Sequence, residues 1–215
     1  MQVTKITSAV KTEGRCNIFI DGKYTLSLDI AQVSELGIKV GLELDESDLS
    51  KLEQASQFGK LYTRTLEYAL SRPHSQREIK DYLYRKTLDK KYKVRGKNEL
   101  KTSPGVSQSV ADAVFERLVE RSYVDDTKFA LFWVENRRLT KGVSRRMLTQ
   151  ELTKKGISAS IIAEVLSDSD RTDNSELKKV ILKKRRQYDD EQKLIAYLAR
   201  QGFHYDDIRT ALAED

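Results

Sequence analysis

"TKKGISASIIAEVL", residues 153–166, is echoed by "ARQGFHYDDIRTAL", residues 199–212. Each runs from polar residues to Gly, an apolar residue, a residue able to cap a helix, and apolar positions at helical spacing. Setting Gly105 beside Gly156 and Gly202 adds a third copy, "GVSQSVADAVF" (105–115). Ala111, Val114 and Phe115 then align with Ile162, Val165 and Leu166, and with Ile208, Ala211 and Leu212. Three short amphipathic helices are predicted. Ser107 and Ser158 are their N-caps, because a side-chain oxygen there can accept from the unpaired amides of the first turn.

The preceding segments repeat too. Ser75 is followed by Ile79, Tyr82 and Leu83, Ser144 by Leu148, Glu151 and Leu152, and Asp190 by Leu194, Tyr197 and Leu198. Ser144 to Asp190 is a step of 46 residues, as is Gly156 to Gly202. Each unit opens with a longer helix, expected near 58–71, 126–139 and 175–187. The predicted fold is mainly α, three tandem three-helix repeats forming an elongated curved array behind a small β-rich module. One such unit is expected to bury its apolar face only by stacking on its neighbours. Gly156 and Gly202 read as left-handed helix stops. A phosphate-binding role is the weaker alternative, as no Gly-rich loop surrounds them.

The first copy is stretched. Ser144 to Gly156 spans 12 positions and Ser75 to Gly105 spans 30, leaving about 18 extra residues in "TLDKKYKVRGKNELKTSP" (87–104). This stretch has no apolar stripe and reads as a mobile basic loop carrying Lys90, Lys91, Lys93, Arg95 and Lys97. The expected domains are a β-rich module at 1–54, repeat 1 at 55–125 with the insertion 87–104, repeat 2 at 126–172 and repeat 3 at 173–215. In the module, "RCNIFIDGKYTLSLD" (15–29) alternates apolar and polar residues around Asp21-Gly22, the signature of a type I′ hairpin. "VTKITSAV" offers a third strand, "DIAQVSELG" a short helix stopped at Gly37, and Asp45 or Ser47 the start of another.

Charge is unevenly distributed. Residues 1–52 hold six Lys and Arg against eight Asp and Glu; the remainder holds 33 against 25. A basic body suits an anionic partner, either nucleic acid or an acidic protein face. No apolar run reaches the length of a membrane span, no signal-peptide core opens the chain, and the single Cys16 cannot form an internal disulfide. A cytoplasmic monomer is expected.

Catalytic chemistry is hard to find. His74 and His204 lie in different repeats and Cys16 lies far from both, so zinc-ligand spacing is missing. "DGK", "FGK" and "RGK" lack the rest of a phosphate loop. The pairs Asp125-Asp126, Asp189-Asp190 and Asp206-Asp207 fall at predicted helix starts, where carboxylates cap amides and meet the positive end of the dipole. No enzyme and no cofactor are expected. The informative charges are basic. "ENRRLTKGVSRR" (135–146) gathers Arg137, Arg138, Lys141, Arg145 and Arg146 across a helix-helix turn, which favours a contact role. "LKKVILKKRRQ" (177–187) adds Lys183, Lys184, Arg185 and Arg186, where an ordinary solvated helix face is an equal alternative. Phe129 and Trp133 read as core rather than as a base-stacking platform.

"ERSYVDDTKFALFWVENRRLTKGVSRRMLTQELTKKGIS" (120–158) and "LIAYLARQGFHYDDIRTAL" (194–212) together resemble the RecX family, bacterial modulators of the RecA recombinase. The resemblance covers roughly residues 58–215, and some members carry a β-rich N-terminal extension. It leaves the 87–104 insertion unexplained. It implies a non-catalytic protein that binds the RecA–single-stranded DNA filament, along its groove or at its ends, and restrains its recombinase and coprotease activities. Two other readings stand beside it: an autonomous basic nucleic-acid-binding protein, and a helical scaffold for some other partner.

Overall fold

Asp21 and Gly22 both take positive φ, 49° and 79°, the backbone of a type I′ turn. The strands predicted on either side form as expected in the computed structural model, which describes residues 1–9, 12–93, 96 and 99–214. β1 (Val3–Ser8), β2 (Arg15–Ile20) and β3 (Lys23–Asp29) make an antiparallel sheet in that order. One face buries Val3, Ile18, Ile20, Leu26 and Leu28 with Ile38, Leu44 and Leu52. The short helix α1 (Ile30–Glu35) starts on a capping box between Asp29 and Gln32 and is followed by Gly37 at φ 62°.

One expectation fails here. The helices predicted from Asp45 or Ser47 and near 58–71 are a single helix of 26 residues, α2 (Glu46–Ser71). The boundary expected at residue 54 therefore falls inside a helix. No proline interrupts this stretch, and Gly59 costs only about 1 kcal/mol relative to Ala. Gly59 also makes room for its surroundings, since a Cβ there would stand 2.8 Å from Gln32 Oε1.

The insertion brings a second correction. After α3 (Gln76–Thr87), β4 (Lys90–Lys93) and β5 (Leu100–Ser103) pair as an antiparallel hairpin before α4 (Gln108–Glu120). Both strands are exposed throughout, so they bury no apolar face and leave no period-two signal. Backbone pairing alone defines them. Gly105 also departs from its aligned partners. Gly156 and Gly202 have φ of 84° and 91°, whereas Gly105 is not left-handed and is instead crowded by the Thr87 carbonyl.

The chain forms two compact units, Met1–Ser71 with Lys80–Tyr123, and Arg72–Ile79 with Val124–Asp215. The first holds the sheet, α1, α2, the β4–β5 hairpin and α4, and α2 packs on both β3 and α4. The second holds α5 (Asp126–Asn136), α6 (Arg145–Lys154) and α7 (Ala159–Asp168). These are followed by α8 (Asp173–Lys184), a 3-10 turn (Arg185–Gln187), α9 (Glu191–Arg200) and α10 (Tyr205–Ala213).

Ser107 and Ser158 accept a first-turn amide as expected, and Ser144 and Asp190 do so at the preceding helices, whereas His204, the aligned residue of the third copy, makes no side-chain cap. The Ile157 amide bonds back to the Leu152 carbonyl and the Phe203 amide to that of Leu198, closing α6 and α9 as Schellman turns. The expected mode of burial needs revision, because each trio closes on itself. Phe129, Leu148, Leu152, Ile162 and Val165 form one core, and Leu177, Val180, Leu194, Leu198 and Ile208 form another. Three helices enclose a small apolar centre from three sides, at about 1.5–3 kcal/mol for each large side chain buried.

Candidate functional site

Because both trios have private cores, their junction is polar. Asp125 caps its own helix α5, accepting from the Thr127 and Lys128 amides. Asp126 reaches out of that helix, and its Oδ1 accepts the Gln76 amide at 2.8 Å. Asp173, the first residue of α8 after its cap Thr172, accepts the Arg145 amide at 2.7 Å in the same manner. In both cases a carboxylate satisfies the first free amide after a cap serine, Ser75 or Ser144. The glycines repeat the pattern. A Cβ on Gly156 would meet Arg77 Cβ at 3.1 Å, and one on Gly202 would meet Arg146 Cβ at 3.3 Å and Ser144 Oγ at 2.6 Å. Arg77 and Arg146 both stand two residues beyond their cap serine.

Glu176 dominates the junction of α8 with the α5–α6 loop. It is 2% exposed and accepts from Arg171 Nη2 at 2.5 Å, Arg171 Nε at 3.1 Å, Lys179 Nζ at 2.7 Å and the Val143 amide at 3.0 Å. Arg171 Nη1 donates to the Arg137 carbonyl at 2.9 Å and to the Val134 carbonyl at 2.5 Å, tying down the end of α5. Burial pushes the Glu176 carboxyl up, but its hydrogen bonds from Arg171 and Lys179, the Arg171 charge and the Val143 amide hold it below the ordinary value. The loop itself is tight. Arg138 is left-handed at φ 48°, its carbonyl accepts the Lys141 and Gly142 amides, and a Cβ on Gly142 would collide with the Glu176 carbonyl.

This clamp brings the two basic runs into one cleft. Arg138 and Lys141 from the loop face Lys183 and Lys184 from the end of α8 across about 390 Å³, over Val143, Val180, Tyr197 and Phe203. Lys184 donates to Gln187 at 2.8 Å and its Nζ lies 5.6 Å from the Tyr197 ring centre.

The other expected contact residues lie outside the cleft lining. Arg137 donates Nε and Nη2 to Glu151 at 2.6 and 2.8 Å and lies 5.0 Å from the Trp133 ring centre. Arg145 has a buried Nε with no acceptor among the described residues, and Arg146 lies against Gly202. Arg185 and Arg186 form the exposed 3-10 turn beyond α8. Lys90, Lys91 and Lys93 are exposed on β4, and Arg95 and Lys97 lie outside the described residues. Phe129 is fully buried as expected, and Trp133 packs at the edge of the same core with its Nε1 donating to Glu151 at 3.0 Å.

Sequence reading missed Arg171, Asp173 and Glu176. Glu176 left a usable signal, since it stands beside Leu177 and four residues before Val180, within the apolar stripe of α8. Among the described residues no group of three or more His, Cys, Asp or Glu is placed to hold a metal ion, and no helix is long and apolar enough to cross a membrane.

Fold and site together define a protein of tandem three-helix domains behind a small β-sheet module, with a cation-rimmed cleft at a domain junction. Comparison with known proteins is consistent along the chain. The RecX N-terminal domain of regulatory proteins matches residues 1–45, the second RecX three-helix domain residues 125–166, and the third residues 175–212. Regulatory protein RecX of Bacillus licheniformis is 31% identical over 219 residues, covering 99% of this chain and 76% of that protein. That of Bacillus subtilis is also 31% identical, over 217 residues, covering 98% and 75%. A crystal structure of regulatory protein RecX superposes with a TM-score of 0.73 at 23% identity, covering 99% of this chain and 98% of that one. RecX from Lactobacillus salivarius superposes with 0.54 at 19% identity, covering 73% and 95%. The chain belongs to the RecX family of regulatory proteins.

Proposed function

We propose that this protein is a non-catalytic regulator that binds the RecA–single-stranded DNA filament and restrains its recombinase and coprotease activities. The observation that carries the reading, beside family membership, is the convergence of Arg138, Lys141, Lys183 and Lys184 on one cleft. Two runs separated by about forty residues have no local reason to meet. Their meeting concentrates positive potential where an anionic protein face or a DNA phosphate can dock. The apolar and aromatic floor suits a surface more specific than a bare polyanion. The β4 lysines offer a second basic surface for the same partner.

The test compares affinities. Binding of the full chain to preassembled RecA filaments and to bare single-stranded DNA is measured by fluorescence anisotropy at physiological salt. Filament binding at least tenfold tighter than bare-DNA binding supports the reading. Equal affinity for both, with a steep salt dependence, assigns the protein instead to autonomous nucleic-acid binders.

A further inference from the structure

We propose that the first unit carries a phosphate-binding site formed by Arg15, Lys60 and Arg64, in the cleft between the β-sheet and α2. The inference is independent of the filament reading and uses none of the residues of the second unit.

Arg15 is the foundation. It lies on β2 with only 7% of its surface exposed. Its Nε donates to Ser27 Oγ at 3.4 Å and its Nη2 to the Ser27 carbonyl, which also accepts Ser56 Oγ at 2.7 Å. The guanidinium is thus fixed between two strands and α2, while its Nη1 is buried with no acceptor among the described residues. A buried charged donor without a partner is costly in a free-standing fold. Lys60 and Arg64, four apart on α2, line the same open cleft of about 560 Å³. Like charges one helical turn apart repel, and no hydrogen bond or ion pair within the described residues relieves either side chain.

The electrostatics agree. Burial, followed by the charges of Arg15 and Arg64, holds the Lys60 ammonium below the ordinary lysine value. Burial and Arg64 likewise lower Arg15, against the opposing pull of Asp29 and Tyr24. Two carboxylates stand near these three cations. Asp29 caps α1 through Oδ1 and acts on Arg15 as its main counter-charge, and Glu67 lines the cleft without an ion pair to Arg64. One positive charge is left over.

The arrangement suits phosphate through the number and spread of its donors, since a guanidinium fork alone holds carboxylate and phosphate alike. Here two of the three Arg15 nitrogens are already spent on Ser27. What remains lines the cleft from two elements, Lys60 and Arg64 from α2 and Asn17 from β2, while the Thr63 hydroxyl is spent on the Gly59 carbonyl at 3.0 Å. Such a set suits a tetrahedral oxyanion with acceptors in several directions. Free phosphate and the phosphodiester of a nucleic-acid strand share that chemistry.

The test uses the full chain carrying K141E/K183E, so that the cleft of the second unit does not contribute. Thermal melts are recorded with inorganic phosphate, with unphosphorylated oligothymidylate and with hexaglutamate, each against chloride at matched ionic strength. A saturable rise in Tm with inorganic phosphate, weakened at least tenfold in apparent affinity by adding K60A/R64A, is expected. The K60A/R64A protein should melt no lower than its parent without added anion, because the substitutions relieve repulsion, whereas a structural role for these side chains would lower it. A response to the oligonucleotide alone, also lost in K60A/R64A, supports the site and identifies the phosphodiester as its source. No saturable response to either phosphate, an unchanged response in K60A/R64A, or a response to hexaglutamate only would overturn the proposal.

Discussion

Arg137 and Glu151 form a two-pronged ion pair, Nε to Oε2 at 2.6 Å and Nη2 to Oε1 at 2.8 Å, with Trp133 Nε1 sharing Oε2. The pair fastens the end of α5 to α6 and stacks the guanidinium on the indole. Within the densest basic run, Arg137 holds the two helices together, while Arg138 lines the cleft and reaches Glu151 only at 4.0 Å. Arg137→Ala should destabilise the second unit by about 1 kcal/mol, since the pair is partly exposed. Lys141→Glu should leave the melting temperature unchanged and weaken filament binding. Circular-dichroism melts paired with binding curves check both, and a binding loss in Arg137→Ala without a stability loss would reverse the assignment.

Among the described residues of the second unit, Arg171–Glu176 is the most buried ion pair. Glu176→Gln leaves Arg171 buried without a counter-charge and should cost about 3–5 kcal/mol. Replacing both partners together, as in R171M/E176L, should cost clearly less than the sum of the single changes. Urea unfolding of the four proteins in the cycle measures the coupling, and strict additivity would contradict it.

Acid should loosen the same contacts. In Glu78, Glu151 and Glu176 burial raises the carboxyl, but their cationic partners outweigh it and leave each below the ordinary value of 4.5. A carboxyl depressed in the folded state binds its proton more readily when unfolded. Its contribution is therefore complete above about pH 4.5 and is lost as pH falls through the folded value. Unfolding free energy should be flat near neutrality and fall below pH 4.5, and less steeply in E176Q. A pH series of urea melts tests this.

The repeat glycines predict a graded effect. Ala at 156 or 202 must hold a positive φ, at about 1–2 kcal/mol. Gly202→Ala additionally drives a Cβ to within 2.6 Å of Ser144 Oγ, the atom that caps α6 and donates to the Gln201 carbonyl at 2.6 Å. Gly202→Ala should therefore be the worse of the two and should speed exchange of the Met147 amide. Equal losses with Met147 still protected would argue against this role for Ser144.

What was legible in the sequence follows from what leaves a period. The hairpin at Asp21-Gly22, the caps Ser107, Ser144 and Ser158, and the stops Gly156 and Gly202 are local rules written in neighbouring residues. The start of α2 was legible at Asp45, which accepts the Asp48 amide, but its continuation was hidden because the largely polar stretch 54–59, ending at Gly59, interrupts the apolar pattern. The exposed β4–β5 hairpin was hidden because it buries nothing. The cleft was half visible. Both basic runs stand out in the sequence, but their meeting depends on Arg171, Glu176 and Gly142, a long-range clamp whose members look ordinary singly.

The cleft of Arg138, Lys141, Lys183 and Lys184 is the surface expected to engage the RecA filament. RecA ATP hydrolysis on single-stranded DNA, followed with sub-stoichiometric amounts of the wild-type chain and of a K141E/K183E variant with matching thermal stability, tests it most directly. The wild type should slow hydrolysis, and at least tenfold more of the variant should be needed for the same effect. Equal slowing by both proteins, or no effect of the wild type, would contradict it.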